Sequence, residues 1–128
     1  MRLKILIADD DKVIAQLAAA VVREMGHVPI HAWDAMQTVM FAVKTPTPDV
    51  IVLDINMPGG TGLEALRKLK ASAKTQHIPV VVLSGSIDQS LPRKVKELGA
   101  EAFLAKPIDP QALRDAIARA AGPHKPTT

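Results

Sequence analysis

The 128-residue sequence is 48% hydrophobic, enough for one domain with a real core and too short for a second of useful size. It has no cysteine, which excludes a disulfide framework and a thiolate metal site, and its formal charge of +3 is spread along the chain. Trp33, Phe41 and Phe103 are the only aromatics, too few for a base-stacking surface, and no apolar run approaches the ~20 residues of a membrane span, so neither direct nucleic-acid binding nor membrane insertion is expected.

Short runs rich in Val, Ile and Leu alternate with segments of helical period, the pattern of β-α units feeding a parallel sheet. The first strand, Leu3 to Ala8, has charges interrupting its apolar stretch and runs into three aspartates, so it is not a signal peptide. A helix follows with Val13, Ile14, Leu17, Val21 and Val22 on one face, closed by Gly26. A weaker strand, His27 to Ala32, leads to a helix from about Asp34 to Lys44 that ends before Pro46 and Pro48. The third strand, Val50 to Leu53, precedes a Pro58-Gly59-Gly60 turn and a capping box, Thr61-Gly62-Leu63-Glu64. The fourth strand is Pro79 to Leu83, with a helix from Leu91-Pro92 to Gly99. The fifth is Ala102 to Ala105, followed by Asp109 as N-cap, Pro110 in the first turn and a buried stripe of Leu113, Ala116, Ile117 and Ala120. Residues 1–122 are expected to fold as one unit starting at a natural N-terminus, and 123–128 to be a disordered tail.

In an open doubly wound sheet ligands bind beyond the carboxyl ends of the strands. Here those ends are Asp9-Asp10-Asp11, Asp54, Ser84 and Lys106. In one of the two common strand orders, 2-1-3-4-5, the first and third strands are neighbours, and Asp9, Asp10 and Asp54 share a pocket. Crowded carboxylates repel, so without a cation at least one is expected to hold a proton at a raised pKa. An all-oxygen, carboxylate-rich site suits Mg²⁺, with Mn²⁺ able to substitute. Carboxylates alone would make only a metal buffer. A lysine and a hydroxyl beside them suit a site that receives a phosphoryl group, whose three oxygens would be met by Mg²⁺, Lys106 and Ser84 while Asp54 acts as nucleophile. Gly85 leaves the approach open. Asp11 fits the N-cap of the first helix equally well as a role in this pocket. His27, His31, His77 and His124 have no ligand spacing and are read as structural or exposed, as are Arg93, Lys94 and Lys96.

Four segments together resemble the receiver domains of two-component response regulators, in the single-domain form: Ile5-Leu6-Ile7-Ala8-Asp9-Asp10-Asp11, Leu53-Asp54-Ile55-Asn56-Met57-Pro58-Gly59 with Gly62 following, Val82-Leu83-Ser84-Gly85, and Phe103-Leu104-Ala105-Lys106-Pro107. Each alone is weak, but in this order and at strand ends they are specific, and the likeness runs from Lys4 to about Ala120. The resemblance implies an α/β, flavodoxin-like, doubly wound five-stranded parallel sheet of order 2-1-3-4-5 with five helices. It implies Asp54 as phosphoacceptor, Asp9 and Asp10 as metal-binding acids with the Asn56 backbone carbonyl as a further ligand, and Ser84 and Phe103 as switch residues. It also implies Lys106 as the phosphate-pairing lysine and Lys106-Pro107 as a cis peptide. Asn56 and Ser86 stand where side chains would admit or obstruct the water that removes the phosphoryl group.

The function so implied is a cytoplasmic signalling phosphoacceptor, not an enzyme beyond its own phosphotransfer and autodephosphorylation. Its donor would be a histidine kinase or histidine phosphotransfer protein, and its target a protein bound through the fourth helix, fifth strand and fifth helix. Three rivals share parts of the pattern. A Mg²⁺-dependent phosphohydrolase of the haloacid-dehalogenase type calls for a second Asp where this chain has Asn56. A flavodoxin-like electron carrier would place its flavin phosphate against Asp9, Asp10 and Asp11, which repel it. A receiver-fold module acting by interaction without phosphorylation does not need the full acid, Ser and Lys set.

Overall fold

The computed structural model describes residues 2–57 and 62–122. Along the chain run β1 (Lys4–Ala8), α1 (Lys12–Glu24), β2 (Val28–Ala32), α2 (Ala35–Val43), β3 (Val50–Asp54), α3 (Gly62–Ala71), β4 (Val80–Ser84), α4 (Leu91–Glu97), β5 (Ala102–Ala105) and α5 (Pro110–Ala121). The strands form one parallel sheet of order β2-β1-β3-β4-β5, the flavodoxin-like doubly wound arrangement. No helix among the described residues is long and apolar enough to cross a membrane.

The apolar strand runs are continuous because both faces of the sheet are covered. Alternate residues feed two cores. Leu6, Ile51, Leu53, Val80 and Val82 pack under α2, α3 and α4. Ile5, Ile7, Val50, Val52, Val81 and Leu83 pack under α1 and α5. Each fully buried Ile, Leu or Val contributes roughly 1.5–3 kcal/mol relative to exposure, so the central strands β3 and β4, buried at every position, anchor the sheet.

Local chemistry sets the helix ends. Asp11 Oδ1 accepts from the backbone N–H groups of Val13 and Ile14, Asp34 Oδ1 from that of Gln37, and Asp109 Oδ1 from that of Gln111. Asp11 is thus the cap of α1. Gly26, just past α1, takes a φ of 85°, a left-handed conformation open to glycine at little cost. At the exposed edge, Val28 N–H donates to the Leu3 carbonyl and the Ala32 carbonyl accepts from Asp9 N–H, so the backbone N–H and C=O groups of the intervening odd positions of β2 point off the edge of the sheet. Pro29 is one of these, where its missing N–H costs no ladder bond. The sequence boundaries agree with the structure to within about two residues. The Pro58-Gly59-Gly60 turn, the Thr61 half of the capping box and the tail 123–128 lie outside the described residues; Glu64 stands in the first turn of α3.

Candidate phosphoacceptor site

The period of two that builds the sheet also builds the site. Asp9 continues the alternation of Ile5 and Ile7, Asp54 that of Val50 and Val52, and Lys106 that of Ala102 and Leu104, so all three continue strand positions that feed the α1 and α5 side. They meet just past the strand ends: Lys106 Nζ lies 3.2 Å from Asp9 Oδ2 and 3.3 Å from Asp54 Oδ1. Asp10, which is exposed, completes a set in which one oxygen from each of Asp9, Asp10 and Asp54 lies within 4.8 Å of the others.

Two of these acids are fully out of water, Asp9 at 0% and Asp54 at 2% exposure. Burial pushes the Asp54 carboxyl above its ordinary pKa, and the Asp9 charge adds to this, against the Asn56 N–H and Lys106, which pull it down. The expectation of a raised carboxyl in this cluster is met at Asp54. For Lys106, burial alone would lower the ammonium; Asp54 and Asp9 together outweigh it and hold the pKa above the usual lysine value. Asp9 Oδ1 accepts from the Asp11 N–H at 2.9 Å, whereas Asp9 Oδ2 is buried without a hydrogen-bond partner. The Lys106 ammonium beside that oxygen is an ion pair by distance only. A buried carboxylate oxygen in this state, in a donor set made only of oxygens, fits a hard divalent cation.

Asp54 Oδ1 accepts from the Asn56 N–H at 3.1 Å, which turns the chain sharply after β3, and Asn56 is itself exposed. Gly62 then donates its N–H to the Ile55 carbonyl at 2.7 Å. A Cβ on Gly62 would meet the Asp54 carbonyl oxygen and the Ile55 Cα at 2.5 Å each, so only glycine lets α3 start this close behind the acid. Ser84 is fully buried at the end of β4, one residue past the position paired with Asp54. Its Oγ accepts from the Ser86 N–H at 3.0 Å, leaving the hydroxyl hydrogen to be donated elsewhere. A Cβ on Gly85 would touch only the Lys106 stem, at 3.9 Å, so the approach there is open.

Phe103 is not part of this cluster. It sits half-buried in β5 opposite Val82 and lines a groove with Pro92, Val95 and Lys96 of α4. The Lys106–Pro107 bond is cis, and so is Thr45–Pro46, which sequence reading did not single out. Ser86 is exposed, its Oγ accepting from the Asp88 N–H. Sequence reading also missed His31: its Nε2 lies 2.9 Å from the Asp9 backbone carbonyl, and its ring centroid is 3.7 Å from that of Trp33. A histidine on an edge strand carries no spacing signal of such a contact.

Five parallel strands with an aspartate cluster and a lysine at their carboxyl ends define the receiver class of signalling domain. The family model of the response regulator receiver domain matches residues 5–118, and the chain belongs to that family. It is 33% identical over 113 residues to the phosphate regulon transcriptional regulatory protein PhoB of Klebsiella pneumoniae, covering 88% of this chain and 49% of that one, so the chain spans about half the length of that relative. It is 32% identical to the sporulation initiation phosphotransferase F of Bacillus subtilis, with 91% of this chain and 92% of that one covered. Among solved structures, the chemotaxis response regulator CheY4 of Vibrio cholerae superposes with a TM-score of 0.85 at 27% identity, over 94% of this chain and 99% of that one. Receiver domains are signalling phosphoacceptors that work with histidine kinases or phosphotransfer proteins and bind Mg²⁺ at an aspartate cluster; Asp9, Asp10 and Asp54 form such a cluster here.

Proposed function

We propose that this chain takes a phosphoryl group from a phosphohistidine onto Asp54 and signals through a change of its protein-binding surface, in a cytoplasmic setting. The observation that carries the reading is the buried Asp54 carboxylate paired with Lys106 and flanked by Asp9 and Asp10. Asp54 attacks the phosphorus, the P–N bond to the donor imidazole breaks, and an acyl phosphate forms while the imidazole nitrogen keeps the bonding electrons and takes up a proton. Mg²⁺, held by Asp9, Asp10, Asp54 and the Asn56 backbone carbonyl, would neutralise charge on the transferred group, and Mn²⁺ would serve in its place. Lys106 balances a second phosphoryl oxygen, and the Ser84 hydroxyl donates to a third.

With three oxygens held, Ser84 is drawn toward the acceptor, and Phe103 is free to repack against α4. This biases the surface of α4, β5 and α5 toward its partner-binding form. The acyl phosphate is then lost to water, at a rate set in part by Asn56 and Ser86.

The test is an intact-mass spectrum after incubation with acetyl phosphate, with and without Mg²⁺, on the wild type and on Asp54→Asn. One phosphoryl adduct that requires both Mg²⁺ and Asp54 is expected. No adduct on the wild type, together with no binding of beryllofluoride, would sink the phosphoacceptor reading and leave an interaction module.

A further inference from the structure

A groove of about 310 Å³ runs between α1 and the edge strand β2, clear of Asp54, Ser84 and Lys106. One wall is a single helical row on α1, Lys12, Gln16, Ala19 and Arg23, at spacings i, i+4, i+7 and i+11. The other wall is Pro29, His31 and Trp33, at the strand period of two, and Ile7 and Ala15 line the trough between them. Among the described residues that line it there is no carboxylate, while Lys12 and Arg23 stand at its two ends, about 16 Å apart along the helix. Trp33 is 42% exposed, a large aromatic left in water beside an apolar floor.

The edge of β2 offers little to an added strand. Pro29 has no N–H to give, and the Trp33 N–H is already donated to Gln37 Oε1 at 2.8 Å. That leaves the His31 N–H as the single outward donor along this stretch, so backbone pairing here is short of donors and weak. The shape between the two walls instead suits side chains projecting from a helix.

We infer that this groove docks an amphipathic, acidic helix of a partner protein. Its apolar stripe lies on Ala19, Pro29 and the Trp33 ring, and its carboxylates meet Lys12 and Arg23. The spacing of those two cations sets the partner's: acidic residues about eleven positions apart, three helical turns, with apolar residues at i+4 and i+7 between them. The docked helix also comes within one hydrogen bond of the acid site, because His31, in the groove wall, contacts the Asp9 carbonyl.

The experiment uses three synthetic peptides of about 15 residues on the intact chain: an acidic amphipathic helix with glutamates eleven positions apart, the same helix with lysines in their place, and a strand-forming rearrangement of the acidic one. Trp33 is the sole tryptophan, so its emission reads the groove directly, and backbone NMR shifts along α1 locate the contact. A saturable change with the acidic helix alone is expected. Arg23→Glu should weaken it about tenfold or more, Arg23→Lys should retain it, and Ala19→Phe, which fills the trough, should abolish it, with circular dichroism confirming that each variant folds. Acetyl phosphate labelling of Asp54 should be unchanged in Arg23→Glu, which separates failure of this inference from failure of the phosphoacceptor reading. Equal response to all three peptides, no response to any at about 1 mM, or binding that survives both Arg23→Glu and Ala19→Phe would overturn it.

Discussion

Asp54 carries two opposed requirements. As the proposed nucleophile it must be ionised, yet burial raises its pKa. Between the ordinary carboxylate value and the raised one the native state binds more protons than the unfolded chain, so stability falls as pH rises through that window, and the cost is fully present above it. Asp54→Asn removes this cost while Asp9 remains to pair Lys106. The variant should match the wild type at about pH 4 and exceed it by an amount of order 1 kcal/mol at about pH 7.5 without metal, read from urea unfolding at the two pH values. A wild type that is the more stable at the higher pH would mean that Lys106 outweighs desolvation. Asn56 is proposed to act on the next step. It is exposed and follows the acceptor by two residues, so Asn56→Leu should slow the water-dependent loss of the phosphoryl adduct several-fold, followed by mass spectrometry over time. An unchanged decay would remove Asn56 from the mechanism.

At the scale of the element, what the sequence made legible is what carries a period or a cap. The five strands read as apolar runs because both sheet faces are buried, and α1 and α5 read from their stripes and from Asp11 and Asp109. The acids, Ser84 and Lys106 were visible because each ends a strand, and strand alternation carries three of them to one side of the sheet. His31 and Lys70 were not visible. Each acts through contact with backbone that only the folded chain brings near. Lys70 Nζ donates to the carbonyls of Gln76 and Ile78 at 3.1 and 2.8 Å, and its stem lies 3.3 Å from where a Cβ on Gly99 would stand. Burial lowers its pKa, against the Glu101 charge, which raises it. The side chain ties the irregular segment after α3 to the entry of β4. Lys70→Met keeps the stem and removes both bonds, and should cost about 1–2 kcal/mol in urea unfolding; no loss would show that water satisfies those carbonyls as well.

Across the whole molecule the helices are anchored unequally. α5 buries Leu113, Ala116, Ile117, Ala120 and Ala121, whereas the seven-residue α4 buries only Leu91 and Val95 and starts at Ser90 without a side-chain cap bond. A short helix with two buried side chains has a low local opening free energy, which makes it the element that a modest change at the site can move. The route is short: Ser84 ends β4, Lys106 N–H donates to the Ser84 carbonyl, and Phe103 in the adjoining strand faces Pro92 and Val95 of α4. A ligand at Asp54 shifts this surface only by its differential interaction with two arrangements, and in the proposed function the Ser84 hydroxyl would provide that difference by reaching a phosphoryl oxygen in one of them. Beryllofluoride with Mg²⁺ should therefore move backbone NMR shifts along α4 and β5 in the wild type and leave β2 and α2 largely unchanged. In Ser84→Ala, which still binds the analogue through Asp54 and Lys106, the α4 and β5 shifts should shrink. If they persist at full size, the signal reaches α4 by a route that does not pass through Ser84.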